Sequence, residues 1–148
     1  MKKFRFRLQR VLDYRKLVKD ERKRELLLAN HKLRQVQKSL EDLQSAEQAN
    51  LLQQEQVISA AQVYLKERFA ERLQAMIVAQ RLALIEAEKL LDQARDAYIE
   101  AAKDAQALET LRERKLEEYK QYLLAEDQKF LDELATQKGN TFEGKNHV

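Results

Sequence analysis

From residue 1 to residue 138 the chain contains neither proline nor glycine, and its two glycines, Gly139 and Gly144, stand in the last ten residues. A layered domain needs tight reversals, and the residues that make them are missing over this whole length. Long helices are what remains. Ala, Glu, Lys, Leu, Arg and Gln dominate, and 36% of the residues are charged, a composition of coiled coil rather than packed sheet. There is no cysteine, so disulfides and thiolate metal sites are excluded, which fits a reducing compartment.

The apolar residues fall on alternating steps of four and three. A first seam runs through Leu8, Leu12, Arg15, Lys19, Arg22, Leu26, Ala29, Leu33, Val36, Leu40 and Leu43, a heptad pattern. Arg15, Lys19 and Arg22 occupy it where a self-sufficient coiled coil would be apolar, so they either snorkel or face a partner. After Leu43 the same register selects Glu47, Asn50 and Gln54. A four-residue stutter, which would locally unwind a supercoil, recovers Leu51, Ile58 and Leu65 instead. A second seam takes Leu73, Ile77, Gln80, Leu84, Ala87, Leu91, Ala94, Tyr98, Ala101, Ala105 and Leu108. Beyond it the register slips to Leu116, Tyr119, Leu123, Asp127, Phe130 and Leu134.

These seams predict an all-α fold, two long helices forming an antiparallel coiled-coil hairpin over residues 1–138. The first helix is expected over about 4–60, the reversal somewhere in 57–72, and the second helix over about 72–138. Ser59 with Gln62 offers a capping box for the restart. A flexible tail is expected over 139–148, because Gly139 and Asn140 fit a left-handed C-cap. The alternative is one continuous helix dimerising in parallel. The hairpin is preferred because the chain's midpoint lies near Leu73 and because it sets basic residues 5–24 against the acidic segment 113–133.

Charge is distributed unevenly. Residues 1–24 hold eleven basic side chains against three acidic ones, a local net charge of +8 in a chain whose total is +3. That end attracts acidic surfaces, so a partner is expected there. The basic start is followed by no apolar run of signal-peptide length, and the most apolar stretch, 75–87, is interrupted by Gln80, Arg81 and Glu86, so neither a signal peptide nor a membrane span is expected and the reading is a cytoplasmic protein.

Catalysis finds little support. The two histidines, His31 and His147, are far apart, and no glycine-rich loop precedes Gly139, so neither a zinc site nor a phosphate cradle is expected. The abundant carboxylates read as a solvated helix surface. The expectation is a non-enzyme with no cofactor, metal or small-molecule substrate. Leu26, Leu33 and Leu40 behind a basic start imitate a basic zipper. Nucleic acid is nevertheless disfavoured as a partner, because the basic region carries its own apolar positions, Leu8, Val11, Leu12, Leu17 and Val18. Among the aromatics, Tyr119 and Phe130 read as seam residues. Phe4, Phe6, Tyr14 and Tyr122 read as partner contacts, since aromatic and Arg residues dominate interface energetics.

Two ordered stretches carry more than periodicity. The opening Phe4-Arg5-Phe6-Arg7-Leu8-Gln9-Arg10-Val11-Leu12-Asp13-Tyr14-Arg15 resembles the start of the bacterial flagellar export protein FliJ family. So does the run Leu108-Glu109-Thr110-Leu111-Arg112-Glu113-Arg114-Lys115-Leu116-Glu117-Glu118-Tyr119, followed by Glu126 to Ala135. Where many members carry proline this chain has Arg10. The resemblance implies a stalk-like coiled coil of the flagellar type III export apparatus, cytoplasmic and held peripherally at the flagellar base. It implies as partners the hexameric export ATPase, whose ring the paired termini enter, the cytoplasmic domain of the export gate, and export chaperones. Carried over residue by residue, the ATPase-contacting role falls on Phe4, Arg5, Phe6, Arg7, Leu8, Arg10, Arg15, Arg112, Arg114 and Tyr119. A gate-binding role is guessed for Phe69 and Leu73, as exposed apolar residues near the reversal. An injectisome counterpart of the family and a basic nucleic-acid-binding coiled coil are the alternatives.

Overall fold

The computed structural model describes residues 3–53 and 59–146, with side chains through residue 140. It contains two helices, α1 (Gln9–Gln53) and α2 (Ala60–Asn146), and no strand among the described residues. The fold is all-α, as expected. The chain divides into a terminal unit, Met1–Lys16 with Lys103–Val148, and a connecting unit, Leu17–Ala102.

In the connecting unit the second heptad seam is the core. Leu73, Ile77, Ala87, Leu91 and Ala101 are buried, and Gln80, Leu84, Ala94 and Tyr98 between them are half-buried. From α1 the unit supplies Leu26, Ala29, Leu33, Val36, Leu40 and Leu43, all half-buried. Half-burial is the ceiling for most positions because a pair of helices leaves both flanks of its seam in water. Full burial of Ile77, at 1% exposed, is therefore a large share of the local driving force, ~1.5–3 kcal/mol.

The seam keeps its register to the end of α1. Asn50 is 6% exposed, whereas Leu51 and Leu52 face solvent, so the unshifted heptad holds and the stutter through Leu51 and Leu65 does not occur. Ile58 and Gln54 lie outside the described residues. A buried Asn at a seam position specifies register at a cost in stability. Arg22, expected to snorkel or to face a partner, is exposed and pairs with Glu25 on its own helix at 3.0 Å.

The two helices are separated by residues 54–59, of which 57–59 fall in the window expected for the reversal. α1 has no basic residue in its last turn, and Lys66 of α2 donates from Nζ to the carbonyl of Gln53 instead, placing a cation at the helix's negative end. Ser59 caps α2: its Oγ accepts from the backbone N–H of Gln62 at 3.2 Å, the N-cap half of the expected capping box. Residues 60–72, expected to contain the reversal, are helical; positions 57–58 lie outside the described residues.

In the terminal unit Leu12 and Ala105 are buried, and Arg15 with Asp104 at 3.4 Å and Lys16 with Glu109 at 3.1 Å mark the antiparallel register. The basic start meets residues 104–119 rather than 113–133, and residues 120–140 are exposed throughout. α2 also runs past Gly139, which does not take a positive φ, to Asn146. Glycine permits a left-handed cap without compelling one, and no proline follows to stop the helix. The tail expected over 139–148 is therefore helical as far as it is described.

Candidate functional site

Residues 3–8 are not helical, although the first helix was expected from about residue 4. Phe4, Phe6 and Leu8 are half-buried while Lys3, Arg5 and Arg7 are exposed, an alternation with the period of extended chain rather than of helix. The segment lays its apolar side on α2 and its cations toward solvent. A turn closes it, the N–H of Gln9 donating to the carbonyl of Phe6 at 3.1 Å, and the helix begins with the N–H of Leu12 donating to Leu8 at 2.9 Å. Arg10 then lies in the first turn, whose N–H groups lack intrahelical acceptors, so proline at this position would also be compatible with the start of the helix.

The segment is anchored by rings and one guanidinium. The Phe4 and Tyr119 rings lie 5.6 Å apart between centroids at 42°, an arrangement worth ~0.5–1.5 kcal/mol beyond its buried area. Arg112 stands 5.7 Å from the Phe4 centroid, within range for attraction between a cation and the ring face. Its Nε donates to Oε1 of Gln9 at 2.9 Å, and Gln9 in turn donates from Nε2 to Asp13 at 2.9 Å. Arg112 thus ties both the extended segment and the first turn of α1 to α2.

Around these anchors is an open cavity of about 980 Å3. Residues 3–8 form one wall, and Leu111, Lys115 and Tyr119 of α2 form the other. Its floor is apolar, its rim carries Lys3, Arg5, Arg7 and Lys115, and no carboxylate lines it. A second hollow of about 580 Å3 adjoins it on the side of Arg10 and Arg112. The arrangement suits a partner that offers an apolar side chain flanked by acids.

Of the residues assigned to this end from sequence, Phe4, Arg5, Phe6, Arg7, Leu8 and Tyr119 line the larger cavity, and Arg10 and Arg112 the smaller. Arg15 is engaged with Asp104 instead. Arg114 is exposed and lines neither cavity, since two residues from Arg112 is about 200° round the helix. Lys3, Leu111 and Lys115 were missed. The spacing of Leu111, Lys115 and Tyr119 on one helix face was the available signal.

The second expected site fares unevenly. Phe69 is 46% exposed, near exposed Val63, Tyr64 and Leu65, but Leu73 is 5% exposed and belongs to the core of the connecting unit. The guess that Leu73 is an exposed apolar contact is therefore corrected: it occupies a seam position that α1 covers. Arg68 donates from Nε to Tyr64 Oη at 3.1 Å and lies 5.4 Å from its ring centroid. Among the described residues no group of three or more His, Cys, Asp or Glu side chains is placed to hold a metal, and no helix is long and apolar enough to cross a membrane.

The sequence model of the family described as Flagellar FliJ protein matches residues 4–141. No curated protein and no solved structure matches the chain. The match takes in both walls of the cavity except Lys3 and nearly all of both helices, and the chain belongs to the flagellar FliJ protein family.

Proposed function

We propose that this chain is a non-enzymatic component of the flagellar type III export apparatus whose terminal unit binds the export ATPase ring and promotes its assembly and activity. Membership of the family carries the export-related role. The observation that supports the finer reading is the apolar floor with a cationic rim formed by residues 3–8 on α2. A component that binds the assembled ring and not its separated subunits lowers the free energy of the ring by mass action, which needs no catalytic group on the component itself. The exposed arginines set the rate and salt dependence of engagement, and Phe4 and Phe6 supply the apolar contact.

Contact with the export gate falls, on this reading, to Phe69 with Tyr64 and Leu65 rather than to Leu73. Export chaperones are the remaining partners, and the chain is held at the flagellar base through these proteins rather than by a span of its own.

The test is hydrolysis by the purified export ATPase near its assembly threshold, titrated with this protein. A saturable rise, together with a ring-sized species in light scattering, is the expected result. Replacing Arg5, Arg7 and Arg10 by Gln should reduce the stimulation and flatten its salt dependence. A flat titration with a competent ATPase overturns the reading, and stimulation by the triple variant equal to wild type at every salt concentration overturns the role of the arginines.

A further inference from the structure

Residues 120–140 are exposed along their whole length, yet they are not built as a solvent helix. Continuing the heptad from Tyr119, Leu123, Asp127, Phe130 and Leu134 fall on one face, apolar except for Asp127, and Leu124 and Leu131 widen it; Phe130 is 62% exposed. No ion pair among the described residues lies in this stretch. Local bonds from Gln121 to Glu117, from Gln128 to Asp132 and from Thr136 to the carbonyl of Asp132 lie within the helix and leave the apolar stripe uncovered. Glu126 and Glu133, one heptad apart, flank the stripe along one edge.

The cavity in the same unit has the opposite chemistry. Its floor holds Phe4 and Phe6, and its rim holds Lys3, Arg5, Arg7 and Lys115 with no carboxylate. One chain thus carries an apolar stripe edged with acids and an apolar groove edged with cations. They cannot meet within one copy. α2 is unbroken from Ala60 to Asn146, so Phe130 lies ~16 Å beyond Tyr119 along the axis and has no hinge by which to return.

We propose that two copies pair head to head through their terminal units, antiparallel, with the 123–134 stripe of each lying over the groove of residues 3–8 of the other. The contact is isologous: each copy contributes one stripe and one groove, so the pair closes on itself and does not grow into a filament. Glu126 and Glu133 of one copy face Arg5 and Arg7 of the other. The pairing does not depend on the ATPase reading, but it covers the same groove, so a paired chain would withhold that groove from another partner.

The experiment uses the full chain alone, by light scattering and sedimentation over a range of protein and salt concentrations. The expected mass rises from 17.5 kDa toward twice that value with protein concentration, and less so in high salt. R5E/R7E and E126K/E133K should each weaken pairing about tenfold or more, while an equimolar mixture of the two should pair again, because each reversed groove then meets a reversed stripe. A chain ended after Lys120 should remain a monomer, with circular dichroism confirming that the rest is helical. Should R5E/R7E release its own residues 3–8, E126K/E133K still reads the contact, since its changes lie on exposed positions. A wild-type chain that stays at 17.5 kDa throughout, whatever else occupies the stripe, overturns the proposal. So does a dimer indifferent to E126K/E133K or to removal of residues 121–148.

Discussion

Phe4 and Tyr119 stand 5.6 Å apart between ring centroids, tilted by 42°, so the extended segment before α1 is held against α2 by an aromatic pair rather than by helix packing. The extended segment has few other anchors. Phe4→Ala removes this contact and the one to Arg112 together. It should lower global stability by only about 1 kcal/mol while reducing the exchange protection of the Gln9 amide, which donates to the carbonyl of Phe6. Phe4→Tyr should keep that protection.

The ion pairs between Arg15 and Asp104 and between Lys16 and Glu109 have side chains 38–53% exposed. Exposed pairs of this kind couple by about 0.2–1 kcal/mol. A double-mutant cycle on Arg15 and Asp104, read by thermal unfolding, should return a value in that range and shrink in high salt. A coupling of several kcal/mol would contradict the exposure.

Two isoleucines of α2 separate packing from composition. Ile77 is 1% exposed and Ile85 is 62% exposed. Ile77→Ala should cost ~2–5 kcal/mol, and Ile85→Ala should stay within about 0.5 kcal/mol of wild type. Denaturant unfolding of the two variants side by side measures the difference.

Asn50 sits at a seam position that a more stable pair would fill with an aliphatic residue. Asn50→Leu should raise stability by about 1–2 kcal/mol and loosen the choice of register between the helices. Disulfide trapping between α1 and α2 should give one cross-link pattern for wild type and more than one for the variant.

The covered faces were legible in the sequence, and the pairing between them was not. Leu73, Ile77, Leu84, Ala87, Leu91 and Ala101 announce themselves because a heptad repeat reports which side of a helix is protected, whatever protects it. The same repeat looks alike after every shift by seven, so it does not say that Arg15 meets Asp104 rather than a residue one turn or more further on. Nor does the sequence mark where α1 gives way to α2, since residues 53–60 carry neither glycine nor proline. At the candidate site, the residue types of both walls stood out, but the conformation of residues 4–8 did not. Two apolar-cation alternations, Phe4-Arg5 and Phe6-Arg7, are too short to outweigh the helical signal that follows them. The contact of the two walls was readable only once the register was known.

The connection also orders the contacts in time. Sequence separation between paired groups is 13 for Lys66 with Gln53, 89 for Arg15 with Asp104 and 103 for Arg112 with Gln9. Closing a long loop in one step is costly, whereas closing it after its neighbours adds little. Pairing therefore zips away from the connection, and the ring contact of Phe4 with Tyr119 is last to form and first to fray. Opening there leaves Leu73, Ile77 and Leu91 in place, so its free energy is set by the anchors of residues 3–8 and is separable from global unfolding. Amide exchange should rise stepwise from Ile77 toward Phe4. Whatever partner takes the groove then meets a clasp whose opening does not require the molecule to unfold.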